Sequence, residues 1–218
     1  MIDTLRKWYP ILLAAIGVLM SLAVYAQLPE NVAVHWDLAG NPNGWMPRPV
    51  GAFFSPVFLL ALAGLLRVVP RIDPRQENYQ RFGSAYETIT ASALLLVLAT
   101  HAIILAIATG HRVPVGRIVP ALVGALFVVI GNVMPRTRSN WWFGIRTPST
   151  LSSDRVWART HRLAGFSMLA AGIVMILAAL FLPSTLAAPI VLGAVAASLI
   201  APALYSYLTW RRESKGVG

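Results

Sequence analysis

Six long runs of apolar residues dominate the chain, near residues 9–27, 51–70, 85–109, 116–134, 160–182 and 186–209. Each run is long enough for a helix that crosses about 30 Å of hydrocarbon, which takes about 20 residues. The segments between the runs are polar and mostly short. The pattern predicts an all-α integral membrane protein with six transmembrane helices.

The connecting segment 28–50 is long, and we predict that it is structured. Apolar and polar side chains alternate from Val32 to Asp37, which allows a short extended piece. The Gly, Pro and Asn residues that follow exclude a long helix and favour successive tight turns. By contrast, residues 67–84 mix basic and acidic side chains, and we expect them to form a solvated connection.

A second long segment, 135–159, also has the marks of ordered structure. Pro148 disfavours helical backbone at the residue before it, so residues 144–148 should be irregular. Irregular backbone near the membrane persists only when its polar groups find partners. A helix should restart near Asp154, with Ser152 or Ser153 as its N-cap.

Composition supports a membrane protein and fixes its predicted orientation. With 57% hydrophobic and 12% charged residues, the chain cannot cover a soluble core with a charged surface. Counting from the N-terminus, alternate connections hold fifteen of the eighteen Lys and Arg residues. The positive-inside rule therefore places both termini and the segment 135–159 in the cytoplasm, and the segment 28–50 outside.

The same distribution argues against nucleic acid as a partner, although the net charge is +10. The basic residues are spread over the connections rather than gathered on one soluble face. Membrane lipids are the partners that this pattern predicts. The absence of cysteine excludes disulfides and thiolate chemistry.

Small and ionisable residues within the apolar runs have their own interpretation. Gly124 and Gly131 lie two turns apart, which suits close helix approach, and Gly193, Ala197 and Ala201 form a second small-residue stripe for packing. His101 is expected to bond to a neighbouring helix, and the alternative is a proton or ion pathway. Glu87 is about 21 Å from His101 along one helix, so the two cannot pair.

Two clusters of polar residues are candidate sites. Outside, His35 and Asp37 are candidates for binding an external ligand, or zinc together with His111, although their spacing does not require a metal. Inside, Arg146 is a permanent cation that we expect to hold Asp154 or an anionic ligand. Helical spacing places Asp154, Trp157 and His161 along one side of a helix, and Arg155, Arg159 and Arg162 along another, where they can face phosphate.

Two sets of motifs resemble known families. The outer set resembles the extracytoplasmic motif of a domain of unknown function, DUF1648, and comprises Leu28-Pro29, His35-Trp36-Asp37, Gly40, Pro42 and Trp45. The inner set resembles the signature of the SdpI family and comprises Gly131-Asn132, Pro135-Arg136, Asn140, Gly144 to Pro148, Thr150-Leu151, Ser153, Val156-Trp157, Thr160-His161-Arg162 and Gly165. Ser139 and Ser149 stand where the SdpI signature usually has Pro and Trp.

The resemblance implies a division of the chain and a role. Residues 1–84 correspond to the DUF1648-like region with two spans, and residues 85–218 to the SdpI-like region with four. SdpI proteins are multi-pass proteins of the bacterial cytoplasmic membrane that include immunity factors against a secreted peptide toxin. The expected partners are such a toxin outside and a transcriptional repressor held at the membrane inside.

The residues expected to bind a ligand or partner fall in both motif sets, and neither catalytic residues nor a cofactor or metal is predicted. They are Asn132, Pro135, Asn140, Gly144, Arg146, Thr147, Pro148, Thr150, Ser153, Asp154, Trp157, His161 and Arg162 inside, and His35, Trp36 and Asp37 outside.

Two other functions stay open from the residues alone. A membrane enzyme would use His161 and Asp154 as acid and base on a lipid headgroup or peptide held by Arg146, although a nucleophile or metal motif is missing. A small transporter would use His101 and Glu87, but the spans hold fewer polar residues than transport normally needs.

Overall fold

The computed structural model describes residues 2–37 and 40–216, with the backbone alone for residues 2–7. This part of the chain forms seven α-helices and one β-hairpin. In chain order they are α1 Ile2–Val24, β1 Asn31–Trp36, β2 Pro42–Pro47, α2 Arg48–Ile72, α3 Gln76–Ala108, α4 Val115–Val133, α5 Pro148–Ser152, α6 Asp154–Phe181 and α7 Ser184–Ser214. Short 3-10 turns follow α1 at Tyr25–Gln27 and α4 at Met134–Arg136.

Within the described residues, six helices are long and apolar enough to cross a membrane, as the apolar runs predict. They are α1 to α4, α6 and α7. Helix α5, with five residues, is too short to cross a membrane. The chain is therefore a multi-pass membrane protein. We refer to the end of the bundle that carries the hairpin as the hairpin end, and to the end that carries residues 134–153 as the loop end.

The largest departure from the predicted helices concerns residues 67–84. They are mostly helical, because α2 continues to Ile72 and α3 begins already at Gln76. The connection predicted over residues 67–84 is therefore wrong in its extent, because only residues 73–75 join the two helices. Its charged side chains Arg67, Arg71, Glu77 and Arg81 are exposed, as expected of a solvated segment. Tyr79, Phe82 and Tyr86 form an aromatic cluster that packs against Val69, Val133 and Phe143, so this polar-looking segment has a buried face.

The hairpin confirms one part of the prediction for residues 28–50 and corrects another. The extended piece is strand β1, which pairs antiparallel with β2 in a register that sets Asn31 opposite Pro47 and Trp36 opposite Pro42. The prediction of successive tight turns is wrong for residues 42–47, because these residues form strand β2. Both prolines stand at the ends of this edge strand, where a missing N–H is tolerated.

The helices form two groups of three. The first contains α1, α2 and α3, and the second contains α4, α6 and α7. Contacts between α3 and α4 join the two groups, and β1 rests on α2 and α3. Within the second group α4 and α7 both pack along α6 but meet each other only briefly.

The closest helix contact is a glycine seam between α4 and α6. Gly131 lies so near Gly165 that an added Cβ would come within 2.7 Å of the Gly165 carbonyl oxygen. Two turns away, a Cβ on Gly124 would lie 2.8 Å from the carbonyl oxygen of Gly172. The two backbones are thus in direct contact, and the close approach predicted from Gly124 and Gly131 is confirmed.

The second small-residue stripe does not pack as predicted. Gly193 faces open space, and Ala197 and Ala201 are exposed. Instead α7 turns a different face inward, with Ala187, Ser198, Pro202, Ser206 and Thr209 buried. Small hydroxyl residues can fill this role because their hydroxyls bond to their own helix, as Ser198 does to the Val195 carbonyl and Ser206 to that of Ala203.

His101 lies inside the first group, with 1% of its surface exposed. Its Nε2 is 3.0 Å from Ser21 Oγ and 3.2 Å from the Gly17 carbonyl oxygen, both on α1. The expectation that His101 bonds to a neighbouring helix is confirmed. This contact fixes α3 against α1 near the middle of the bundle.

The seam makes matched glycine substitutions informative. We expect Gly172→Ala to lower the free energy of unfolding by about 1–3 kcal/mol, because the new methyl group overlaps the Gly124 carbonyl and the Val128 amide. Gly193→Ala, in open space, should be neutral or slightly stabilising. Thermal unfolding in detergent would measure both, and equal melting temperatures would contradict the seam.

The predicted orientation can be tested by labelling, because the chain has no native cysteine. Ser152 at the loop end and Asn31 at the hairpin end are both exposed. We expect a membrane-impermeant maleimide added to intact cells to modify Asn31→Cys and spare Ser152→Cys. The reverse pattern would invert the orientation.

Candidate functional site

The loop end is built around residues 137–147, which we call the inner loop. It leaves the turn after α4 and leads into α5, with an irregular backbone between them. The irregular segment predicted around residues 144–148 is confirmed for residues 144–147, and α5 begins at Pro148. Of the predicted segment 135–159, a part is helical, because α5 and the first turns of α6 lie in it.

Asn140 holds the turn at the centre of the inner loop. Its buried side chain accepts hydrogen bonds through Oδ1 from the amides of Trp142 at 3.0 Å and Phe143 at 2.6 Å. Its Nδ2 donates to the Arg138 carbonyl at 2.9 Å. With the backbone tied to one side, Trp141 and Trp142 remain 48% and 44% exposed.

His161 anchors the next part of the inner loop from α6. Its Nε2 accepts a hydrogen bond from the amide of Ile145 at 3.0 Å, and its Nδ1 lies 2.9 Å from the Trp157 carbonyl oxygen. An amide can only donate and a carbonyl can only accept, so the hydrogen is on Nδ1. His161 is fully buried and stacks on Trp157, with ring centroids 3.9 Å apart.

The position of Gly144 follows from this histidine. Its backbone φ is 92°, a left-handed conformation that side chains other than glycine rarely adopt. A Cβ at this position would also overlap His161 Nε2. Gly144 is therefore required both for the turn and for the approach of the loop to α6.

Thr147 and Thr150 close the inner loop and start α5. They form a reciprocal capping box, in which the Thr147 side chain accepts from the Thr150 amide and the Thr150 side chain accepts from the Thr147 amide. The Thr150 hydroxyl also donates to the Ile145 carbonyl at 2.8 Å. Thr147 Oγ1 lies 2.9 Å from Ser206 Oγ, which connects the loop to α7.

The start of α6 is capped as predicted. Ser153 is the N-cap, and its hydroxyl accepts from the amide of Val156. The same hydroxyl donates to Glu213 on α7 at 3.1 Å, and Arg155 lies 3.5 Å from the other oxygen of that carboxylate. The loop end therefore has a second connection to α7.

Two positions of the SdpI-like motif set, Pro135 and Trp157, pack the turn after α4 against α6. Pro135 lies against Gly165, where an added Cβ would come within 2.8 Å of the proline ring. The indole of Trp157 is buried and donates to the Thr137 carbonyl at 3.3 Å. Asn132 is exposed on α4.

Sequence reasoning missed Asp73, which the structure places under the inner loop. Its buried carboxylate accepts from the Arg75 amide at 2.8 Å, the Tyr79 hydroxyl at 3.0 Å and the Trp141 amide at 2.9 Å. An acid placed directly after a helix and before Pro74 is the available signal, because short polar side chains favour such helix ends. Nothing in the sequence indicates its distant partner Trp141.

Arg75 and Asn78 were missed in the same way. Arg75 donates to the Ser139 hydroxyl and, at 2.7 Å, to the Leu151 carbonyl. Asn78 donates to the Ser139 carbonyl at 2.7 Å. The end of α2 and the start of α3 thus support the inner loop from below, so the site includes residues from both halves of the chain.

The predicted charged residues lie at the surface. Arg146 is exposed and donates to the Trp141 carbonyl at 2.7 Å, whereas the expected pairing with Asp154 is not seen. Asp154 is exposed in the first turn of α6, while Trp157 and His161 of the same predicted side are buried. The arginines expected to face phosphate are all exposed: Arg155, Arg159 and Arg162.

The outer candidates lie at the opposite end of the bundle and do not join this site. His35 bonds through Nδ1 to Asn43 across the hairpin, and Asp37 accepts from the amide of Asn41 at 2.8 Å. Trp36 is half-buried at the end of β1. Among the side chains described, those of residues 8–37 and 40–216, no group of three or more His, Asp or Glu is arranged to hold a metal ion.

Comparison with known proteins confirms the resemblance found in the sequence. Residues 136–206 match the SdpI/YfhL protein family, and residues 12–60 match the domain of unknown function DUF1648. The chain is similar to the immunity protein SdpI of Bacillus subtilis (strain 168), with 26% identity over 171 residues, which cover 78% of this chain and 80% of that protein. No solved structure matches the chain.

The anchoring role of His161 yields a direct test. His161→Phe keeps an aromatic ring against Trp157 but leaves the Ile145 amide without an acceptor, so we expect a loss of about 1–3 kcal/mol in stability. Hydrogen exchange at Ile145 should become faster, as read by mass spectrometry of the inner loop. His111→Phe, at an exposed position of the hairpin end, is the control. Unchanged exchange at Ile145 would remove His161 as an anchor.

Proposed function

Because the chain joins a DUF1648 region to an SdpI region in a six-span membrane protein, we propose that it is an immunity protein. In this role it sits in the bacterial cytoplasmic membrane and protects its cell from a secreted peptide toxin. The observation that carries the proposal is the likeness to the Bacillus subtilis immunity protein, which extends over 78% of the chain. Both matched regions lie in helices and the hairpin of the bundle, as expected of a folded relative of that protein.

The predicted binding residues divide into two kinds by their contacts, and we propose that they act differently. Asn140, Gly144, Thr147, Thr150 and His161 hold the backbone of the inner loop and act through its shape. The groups that this scaffold presents are exposed and are the ones we assign to partner contact. Among the predicted residues they are Arg146, Asp154 and Arg162, and we add the exposed Trp141 and Trp142, which the sequence prediction did not include.

The exposed surface of the loop end is basic and aromatic. Such a surface suits lipid phosphates, since arginine pairs with phosphate and tryptophan settles at the membrane interface. It also suits an acidic surface of a soluble protein. A cytoplasmic repressor, which the family resemblance implies, would dock here.

The contacts of His161 disfavour the enzyme alternative. An acid or base must reach the proton that it transfers. Both ring nitrogens of His161 face backbone groups, and its side chain is fully buried. Asp154 is exposed at the first residue of α6, two turns away. We therefore assign His161 to structure rather than to chemistry.

The transporter alternative loses its main candidate in a similar way. His101 bonds to Ser21 and Gly17 of α1 inside the first helix group. These contacts give Nε2 of His101 partners at membrane depth without a transport pathway. Immunity remains the function that the chain supports best.

Arg146 is the residue at which the proposal is most readily tested. We expect Arg146→Ala to lower the toxin concentration that cells survive by at least about tenfold, because the loop loses both a presented cation and the bond to the Trp141 carbonyl. The assay measures survival of toxin-sensitive bacteria that express the chain, challenged with the peptide toxin that the family's immunity factors resist.

Arg138→Ala is the matched control, because Arg138 is exposed on the same loop. Membrane levels of all variants are compared by immunoblot, and Arg146→Lys separates charge from geometry. Retained protection in Arg146→Ala would remove this residue from the site. Absence of protection by the parent chain would refute the immunity proposal.

A further inference from the structure

A cavity of about 420 Å³ lies at the hairpin end, beneath strand β1. Residues 34–37 form its roof, and its walls come from α3, α4 and α7. Thr100, which lines it, lies eight residues before the end of α3. At 1.5 Å per residue the cavity therefore reaches about 12 Å below the helix end, into the depth of the membrane.

The arrangement of the helices explains why space remains there. Helices α4 and α7 pack along α6 and meet each other only briefly. Residues from the first turns of both helices line the cavity, which marks a gap between them. The hairpin reaches over this gap from the other helix group. The roof belongs to the segment that matches DUF1648, and the α7 wall belongs to the segment that matches SdpI, so the cavity exists where the two regions meet.

The chemistry of the lining is largely apolar. Polar side chains are confined to the roof and rim, with His35, Asp37 and Ser184, and to Thr100, whose hydroxyl already bonds to the Val97 carbonyl. The apolar wall is made by Val34, Ile103, Ile104, Val119, Ala187 and Val191. Such a lining favours an apolar group held by few polar contacts at the entrance.

We propose that this cavity binds one or two large apolar side chains of the secreted peptide toxin, an inference that rests on the proposed immunity function. Binding pockets range from about 300 to 1,000 Å³, so this cavity takes an anchor rather than a whole peptide. The charge distribution predicts that the hairpin end faces the outside, where a secreted peptide arrives. A peptide that binds at a membrane surface does so in part through apolar side chains.

The roof disfavours a phospholipid that enters the cavity from above. The headgroup of a phospholipid whose chain entered the cavity from above would occupy the position of β1. A peptide can instead lie along the surface beside the hairpin and insert a side chain through the gap between α4 and α7. The anchor and its pocket then resemble a hot spot of a protein interface, where a few buried side chains dominate binding.

The first experiment fills the cavity. Ala188 lines it, and Ala197 is exposed on the same helix outside it. We expect Ala188→Phe to lower the concentration of the family's peptide toxin that cells survive by at least about tenfold, and Ala197→Phe to behave as the parent. Membrane level and melting temperature are checked for each variant, and Ala188→Leu is a milder second filling. Full protection by well-folded Ala188→Phe and Ala188→Leu would overturn the proposal.

The second experiment detects binding itself. A benzophenone label is attached to Ser184→Cys at the rim or to Val50→Cys, which is exposed at the start of α2 outside the cavity, in the otherwise cysteine-free chain. The labelled protein, in phosphatidylglycerol and phosphatidylethanolamine nanodiscs, is irradiated with the purified toxin. We expect a toxin adduct at position 184 that excess unlabelled toxin suppresses, and little at position 50.

The outcomes separate this proposal from the one it rests on. A protective parent chain that forms only lipid adducts at position 184 would leave immunity standing and overturn the peptide site. A toxin adduct at position 184 in a chain that does not protect would support the site and refute immunity. Equal toxin adducts at positions 184 and 50 would show unspecific contact and overturn the site.

Discussion

Direct contact between the backbones of α4 and α6 is the interaction on which the rest of the loop end depends. The glycines of the seam bring the two helices together over two turns, and the inner loop connects the end of the first to the start of the second. Because both of its ends are fixed by this packing, the loop has a defined span to cross. Pro135 and Trp157 extend the same contact to the edge of the bundle, which places His161 under Ile145.

The inner loop also meets the general demand that backbone groups near the membrane find partners. Its amides at Trp141, Trp142, Phe143 and Ile145 bond to side chains of Asp73, Asn140 and His161. The side-chain acceptors come from three different parts of the chain. Buried polar residues are concentrated here because they bond to the amides of the loop, and the tryptophans and Arg146 beside them remain exposed.

The sequence predicts features that depend on local chemistry. The apolar runs predict the spans, Pro148 predicts the break before α5, and Ser153 predicts the start of α6, because each effect acts within a few residues. Features that depend on distant partners are not predictable in this way. In the sequence, Asp73 and Arg75 resemble solvent-exposed charges, because their partners in and beside the inner loop are about 70 residues away along the chain. Strand β2 likewise forms only by pairing with β1. The prediction that the stripe at Gly193 packs against another helix was wrong, because small hydroxyl residues on a different face of α7 pack as closely as glycine and alanine.

Helix α7, with 31 residues, connects the cavity to the loop end. Its first two turns line the cavity, and its last turns bond through Ser206 and Glu213 to the inner loop and the start of α6. A helix of this length is about 46 Å long, so a tilt of about 5° around its middle displaces each end by about 2 Å. Any tilt of α7 imposed at the cavity would therefore also displace the residues that bond to the inner loop and to the start of α6.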